Sequence, residues 1–153
     1  MRIKVFALVL VMAMLTSALP VGALAAENDV RTDVIYYDDG SYLEVTTGET
    51  LARTTYGKTG YKKLTYRDGS DNVEWVATLT ATFTYNGTTA TCTNASCTVD
   101  ISENAWYVVS EATSRSGSTA TTNLTMGEKL LLITIAKYDY TITLTCDKDG
   151  NLS

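Results

Sequence analysis

One stretch of alternating residues, from Val73 to Tyr85, constrains the fold of this chain more than any other. From position 75 to position 83 the odd residues are Trp, Ala, Leu, Ala and Phe, and from position 78 to 84 every even residue is Thr. An extended backbone points successive side chains to opposite faces, so the stretch predicts a long β-strand with one apolar face. Asn86-Gly87 follows and favours a two-residue hairpin turn that would pair Phe83 with Ala90.

The rest of the chain also has the composition and the turn residues that are typical of a β protein. Threonine is the commonest residue, at 27 positions, and no segment outside the N-terminus shows helical periodicity. Residues 34–45 predict a hairpin that turns at Asp39-Gly40 and pairs Tyr37 with Tyr42, and residues 120–135 predict one that turns at Gly127-Glu128. About nine to eleven short strands are expected. We therefore predict an all-β fold, an antiparallel β-sandwich that is immunoglobulin-like in the broad sense, with a partly closed β-barrel as the alternative.

The N-terminus has the pattern of a secretory signal peptide. Arg2 and Lys4 precede an apolar run over residues 5–19, and Ala23-Leu24-Ala25 supplies a small-x-small cleavage pattern. Cleavage is expected after Ala25 or Ala26. The predicted organisation is a signal peptide at residues 1–25, a flexible leader at 26–33 and one all-β domain at 34–153, exported to the extracellular space.

The charge balance excludes some classes of partner. Loss of two of the 12 basic residues with the signal peptide leaves ten against 17 acidic residues, a formal charge of −7. Such a polyanion is repelled by nucleic acids and by anionic membranes. We expect no nucleic-acid partner and no membrane insertion after signal cleavage.

Residues suited to catalysis or metal binding are scarce. The chain has no histidine, which removes the commonest general base and metal ligand, and its carboxylates lie mainly in predicted turns. Residues 147–151, Asp-Lys-Asp-Gly-Asn, resemble part of a calcium loop but lack the flanking helices and the closing glutamate. The sequence predicts a terminal turn there, no cofactor and no enzyme activity.

Three cysteines in an exported chain predict one disulfide and one free thiol. Cys92 and Cys146 are both expected on apolar strand faces, and closing their loop of about 55 residues contributes about 4 kcal/mol in the chain-entropy model. A bridge between Cys92 and Cys97 closes a short loop, contributes about 2 kcal/mol and stays open as the alternative. The favoured disulfide is Cys92 with Cys146.

Tyrosines in the first hairpin are the candidate ligand-binding residues. Tyr36, Tyr37 and Tyr42 could present rings that stack on sugars or on a protein partner. The alternative is structural, because about half of the side chains of a strand face the core.

Several of these segments together resemble an uncharacterised family of small secreted β-rich proteins from Gram-positive anaerobic bacteria. The resemblance rests on YDDGSY at 37–42, VEWVATLTATFTYNGTTATCT at 73–93, WYV at 106–108, SGSTA at 116–120 and LTCDKDGNLS at 144–153. It implies export and a β-rich domain and brings no assigned activity. The family pattern matches Cys92 and Cys146, whereas Cys97 is an addition.

These observations predict a secreted, non-catalytic binding or adhesion-type module for a glycan or a protein partner, as a monomer or with weak self-association. The alternative function is a structural or self-assembling extracellular subunit, because long strands without proline offer edges for strand addition.

Overall fold

The computed structural model describes residues 30–54 and 56–153, and the side chains of 30–50 and 56–153. The predicted signal peptide and residues 26–29 of the predicted leader lie outside the described residues. The prediction of a flexible leader up to residue 33 is wrong, because the first strand already begins at Arg31. The strands are β1 (Arg31–Tyr36), β2 (Tyr42–Thr54), β3 (Gly57–Arg67), β4 (Val73–Tyr85), β5 (Ala90–Ile101), β6 (Trp106–Ser116), β7 (Thr119–Leu130) and β8 (Ile133–Thr145). These eight strands are fewer and longer than the nine to eleven short strands that the sequence predicted.

The strands form two antiparallel sheets, one in the order β1-β2-β3-β4-β5 and one in the order β6-β7-β8. The smaller sheet packs against one end of the larger, with β8 on β3 and β4 and β7 on β4 and β5. This arrangement confirms the predicted antiparallel β-sandwich. Both sheets are open, so the alternative of a partly closed barrel is wrong.

Strand β4 confirms the prediction from the alternating stretch, with the same first and last residues. Trp75 and Phe83 are fully buried, as are the residues with the same parity between them, while the threonines of the other face are half-buried or exposed. The core contains the following residues: Leu43, Leu64, Trp75, Ala77, Leu79, Ala81, Phe83, Cys92, Trp106, Ala120, Leu124, Met126, Ile142, Leu144 and Cys146. Because β4 faces both β7 and β8 of the smaller sheet, its apolar face supplies about a third of this core.

The turn after β4 differs from the prediction. Asn86 to Thr89 form a four-residue loop, in which the Asn86 amide donates to the Thr89 carbonyl over 3.1 Å and Asn86 Oδ1 accepts from the Thr88 and Thr89 amides. Tyr85 therefore pairs with Ala90, and the expected pairing of Phe83 with Ala90 is wrong. The side chain of Asn86 caps a wider loop instead of sitting in a two-residue turn.

A β-bulge in β5 then changes the register again. Phe83 pairs with Cys92, whereas Thr82 pairs with Asn94, so Thr93 has no partner across the ladder. The extra residue reverses the alternation along β5. Cys92 and Cys97 consequently share the inner face, although residues five positions apart in a regular strand point to opposite faces.

The first hairpin is displaced by one residue from the predicted register. Residues 37–41 form its loop, and Tyr36, not Tyr37, pairs with Tyr42. Asp39 Oδ1 accepts from both the amide and the hydroxyl of Ser41, which fixes the wider loop. Tyr36 therefore lies beside Tyr42 on the outer face, whereas Tyr37 lies in the loop and packs against Tyr66 on the inner side.

The hairpin of β7 and β8 is longer than predicted. Gly127 lies within β7 opposite the ring of Tyr107, and the chain turns at Leu131 and Leu132 instead. Leu131 adopts a φ of 59°, a left-handed conformation that is rare for a branched residue. The expected turn at Gly127-Glu128 is therefore wrong, and the true turn is an apolar tip, Leu130–Ile133, with relative exposures of 66–97%.

The unequal sheets leave part of the larger one without a covering layer. Strand β8 is the last strand of the smaller sheet, and it packs against β3 and β4. Strands β1 and β2 therefore extend past the edge of β8, and every residue of β1 is exposed. Their inner face and the edge of β8 together form a concave surface.

Candidate functional site

The candidate site is a continuous groove along β8, which we call the β8 groove. Its middle section has a volume of about 470 Å³ and is lined by Ile35, Tyr37, Leu43, Val45, Lys62 and Leu64 on one side and residues 139–143 on the other. A section of about 430 Å³ continues from Tyr37 and Tyr140 toward Tyr66 and Tyr138. A section of about 290 Å³ continues from Val45 and Lys62 toward the C-terminal residues. The sections share lining residues and form one channel.

The floor of the middle section is apolar because of the strand register. Ile35 pairs with Leu43, and Val45 pairs with Leu64, so these side chains share the inner face of β1, β2 and β3. Ile35 is 50% exposed, which is unusual for a residue with core parity. An apolar ligand or side chain in the groove would bury this surface.

The wall of the groove is the free edge of β8. In an antiparallel ladder, alternate residues direct their amide and carbonyl toward the same neighbour. The Thr145 amide and carbonyl both bond to Ser153, on the side away from β7, and the Cys146 amide bonds toward the β7 side, to Ser118. Asp139, Thr141 and Thr143 have the parity of Thr145. Within the described residues, their backbone groups have no ladder partner on the groove side.

The C-terminal residues occupy the first position beside this edge. Ser153 exchanges two backbone hydrogen bonds with Thr145, of 2.9 and 3.0 Å, and Leu152 forms an antiparallel bridge with Cys146. The Leu152 side chain lies over Gly60, where a Cβ would come within 2.2 Å of Leu152 Cδ1. The slot next to β8 therefore accepts an extended chain whose inward side chain packs on the larger sheet.

Tyrosines form the other end of the groove over a buried aromatic cluster. The ring of Tyr66 stacks on that of Trp75, with centroids 5.6 Å apart and an interplanar angle of 14°. Tyr37 lies 6.1 Å from Tyr66, and Tyr140 lies 5.1 Å from Trp75. The groove thus ends in a wall of rings held from below by packed tryptophan, a surface suited to flat apolar or sugar groups.

Burial dominates the electrostatics of these tyrosines. It raises the pKa of Tyr37, with a smaller contribution from the Asp39 carboxylate, and it raises the pKa of Tyr66 and, more strongly, of Tyr140. All three phenols are therefore neutral at physiological pH. They can exchange hydrogen bonds with a ligand but present no negative charge.

The three predicted ligand-stacking tyrosines do not form one site. Tyr37 lines the groove, whereas Tyr36 lies on the opposite face, 5.6 Å from Tyr42, and is 75% exposed. The Tyr42 hydroxyl donates to the Asp71 carboxylate, which raises the pKa of Tyr42 to about 12. Only Tyr37 is thus a candidate for binding in the groove.

The other end of the groove carries charge. Lys58 is buried and donates to Glu49 over 2.5 Å and to the Gly150 carbonyl. Burial lowers the pKa of Lys62, and the nearby Arg31 guanidinium lowers it further. The Asp33 carboxylate, which pairs with Arg31, partly offsets this repulsion.

All three cysteines are free thiols, so the predicted disulfide between Cys92 and Cys146 is not formed in the structure. The two are nevertheless close, because their amides donate to the successive carbonyls of Gly117 and Ser118, over 2.7 and 3.0 Å. The alternative bridge, Cys92 with Cys97, is wrong. Both lie in β5, five residues or about 16 Å apart along the strand, beyond disulfide reach.

Residues 147–151 form the predicted terminal turn. Asp147 Oδ1 accepts from the amides of Asp149 and Asn151, and its Oδ2 accepts from the Asn151 side chain. Asp68 and Asn72 repeat this arrangement after β3. No group of three or more potential metal ligands exists among the described residues.

The sequence missed Tyr138 and Tyr140 as site residues. Their alternation with polar neighbours indicates an inner face, but nothing in that pattern shows that the facing strands extend past β8. Among the described residues, no helix is long and apolar enough to span a membrane. The chain matches no protein-family model, no curated protein and no solved structure, so the family resemblance stays a prediction.

Proposed function

We propose that this protein is a non-catalytic binding module that holds a glycan or a protein segment in the β8 groove. The observation that carries the proposal is the groove itself, an open channel with an apolar floor and one aromatic end. Binding sites in proteins are typically concave and mostly apolar, with a few directed polar groups.

Tyr37 and Tyr36 provide a matched test of this proposal. They are neighbours in sequence, both are exposed, and only Tyr37 lines the groove. On glycan and extracellular-protein arrays we expect Tyr37→Ala to weaken binding at least tenfold and Tyr36→Ala to leave it unchanged. Equal effects of the two substitutions, or no ligand on either array, would contradict the proposal.

We further propose that the protein is exported and that Cys92 and Cys146 form a disulfide in an oxidising environment. The signal-peptide pattern supports export, and the common attachment of both cysteines to the turn between β6 and β7 supports the pairing. Non-reducing peptide mapping of protein secreted by a bacterial host tests both statements. A retained N-terminus contradicts export, and a free Cys146 contradicts the bridge.

A structural or self-assembling subunit is the second candidate function. The apolar tip, Leu130–Ile133, favours it, because solvent-exposed aliphatic side chains at a turn are a contact surface for other molecules. Sedimentation over a range of concentrations separates the candidates. Growth into large species supports assembly, and a stable monomer supports the binding module.

A further inference from the structure

We propose that the β8 groove binds an extended polypeptide segment of a partner protein, which adds as an antiparallel strand to the free edge of β8. This inference rests on the proposed binding function and specifies its ligand class. The segment would occupy the slot that Leu152 and Ser153 enter at one end, and it would turn the three-stranded sheet into a four-stranded one.

The backbone of β8 has unpaired hydrogen-bonding groups on the groove side among the described residues. Asp139, Thr141 and Thr143 direct their amides and carbonyls into the groove, at the parity at which Thr145 bonds to Ser153. A strand edge of this kind pairs with any extended chain that reaches it, because the hydrogen bonds do not depend on side-chain identity. The free edge of β8 can therefore bind the backbone of an extended peptide through hydrogen bonds.

The inner face of β1 and β2 offers apolar contacts to the side chains of a strand beside β8. Strands in one sheet are about 4.8 Å apart, so a strand next to β8 would lie beneath β2, facing Leu43, Val45 and Ile35. Leu152 and Ser153 show how the side chains of such a strand would alternate. The side chain of Leu152 points to the larger sheet, whereas the amide and carbonyl of Ser153 bond to β8. The bound segment must alternate, with apolar residues inward and polar residues outward.

The overhang of β1 and β2 also determines what kind of strand can enter. Two copies of this protein cannot join β8 to β8 with their larger sheets on the same side, because β1 and β2, which extend past β8 in each copy, would overlap the larger sheet of the other copy. A strand that is already covered by a sheet is excluded in the same way. The occupant is therefore a flexible or terminal segment of about five to seven residues, matching the length of edge from 137 to 143 at 3.4 Å per residue.

N-methylated peptides test backbone pairing directly. The probe is a seven-residue peptide that alternates threonine and valine, taken from a library of alternating polar and apolar heptapeptides. If the peptide alternates as Leu152 and Ser153 do, its valine side chains face the larger sheet and its threonine amides face β8. Methylating the threonine amides should weaken binding at least tenfold, about 1.4 kcal/mol, whereas methylating the valine amides should change it little.

Hydrogen exchange and a matched pair of variants locate the peptide. Bound peptide should slow exchange of the Thr141 and Thr143 amides at least tenfold. Ile35→Asp places a charge on the groove floor, whereas Val34→Asp places it on the opposite face of the same exposed strand. We expect Ile35→Asp to abolish peptide binding and Val34→Asp to leave it intact.

Each result decides between strand addition and the broader proposal. If the two methylation patterns weaken binding equally, or if no library peptide protects Thr141, strand addition is wrong. If Tyr37→Ala still abolishes binding to an array ligand in that case, the groove is a binding site for another ligand class. If neither Ile35→Asp nor Tyr37→Ala affects any ligand, both proposals are wrong.

Discussion

Gly60→Ala should destabilise the protein by removing Leu152 from its place beside β8. The new Cβ would lie 2.2 Å from Leu152 Cδ1, well inside van der Waals contact, and 3.2 Å from the Gly48 carbonyl oxygen. Cδ1 is the far end of the flexible Leu152 side chain. We therefore expect the Leu152 side chain to move and the backbone of β3 to stay in place.

The magnitude follows from what Leu152 loses and what alanine gains. Exposing a half-buried leucine costs about 1 kcal/mol, and loosening the two hydrogen bonds between Ser153 and Thr145 costs about 0.5–1 kcal/mol more. Replacing glycine by alanine within a strand recovers about 0.5–1 kcal/mol through the unfolded chain. We expect a net loss of about 1 kcal/mol.

A double-mutant cycle separates the steric cause from a general effect on β3. In urea denaturation, Gly60→Ala should be neutral or stabilising by about 0.5 kcal/mol when Leu152 is already alanine, which gives a coupling energy of about 1–1.5 kcal/mol. Additive effects would refute the reasoning, because they would place Leu152 away from Gly60. Unchanged stability of the single variant would refute it as well.

Three further predictions concern other parts of the fold. Leu131→Asn should raise the free energy of unfolding by about 0.5–1 kcal/mol in urea melts, because asparagine tolerates the positive φ; a lower midpoint would contradict this. Oxidation that joins Cys92 to Cys146 should raise the melting temperature by about 10–20 °C in calorimetry with and without reductant, from the roughly 4 kcal/mol of a 55-residue loop, and identical scans would count against the bridge. Hydrogen bonds from Asn151 lower the pKa of Asp147, so the carboxylate stabilises the fold above its unfolded pKa near 4 and loses that effect as pH falls through the folded pKa. Asp147→Asn should flatten stability against pH below about 4, and an unchanged profile would show that this turn does not contribute.

The sequence by itself determined the elements whose signal is local. The alternation from Val73 to Tyr85 predicted β4 with its buried face, because the period of a strand follows from backbone geometry alone. In β8, Tyr138, Tyr140 and Ile142 alternate with polar residues in the same way, a local pattern that indicates the inner face of this strand. Antiparallel sandwich architecture followed from many such segments without helical periodicity.

The turns were predicted less well, because side-chain contacts select among loops of similar sequence. Asn86-Gly87 is the strongest short hairpin signal, yet the Asn86 side chain caps a four-residue loop. Gly127 reads as a turn residue, yet it lies in β7 against the ring of Tyr107. These choices depend on neighbours that a local pattern does not contain.

Only the tertiary structure decided the candidate site. The β8 groove exists because the two sheets have five and three strands and are aligned at one end, which leaves β1 and β2 without a covering layer. No single strand encodes that difference. Ile35 is on the same face of the sheet as the core residues. It is exposed because, among the described residues, no strand of the smaller sheet covers it. The sequence therefore specified which faces are apolar, and the stacking of the sheets determined which apolar face remains open to a ligand.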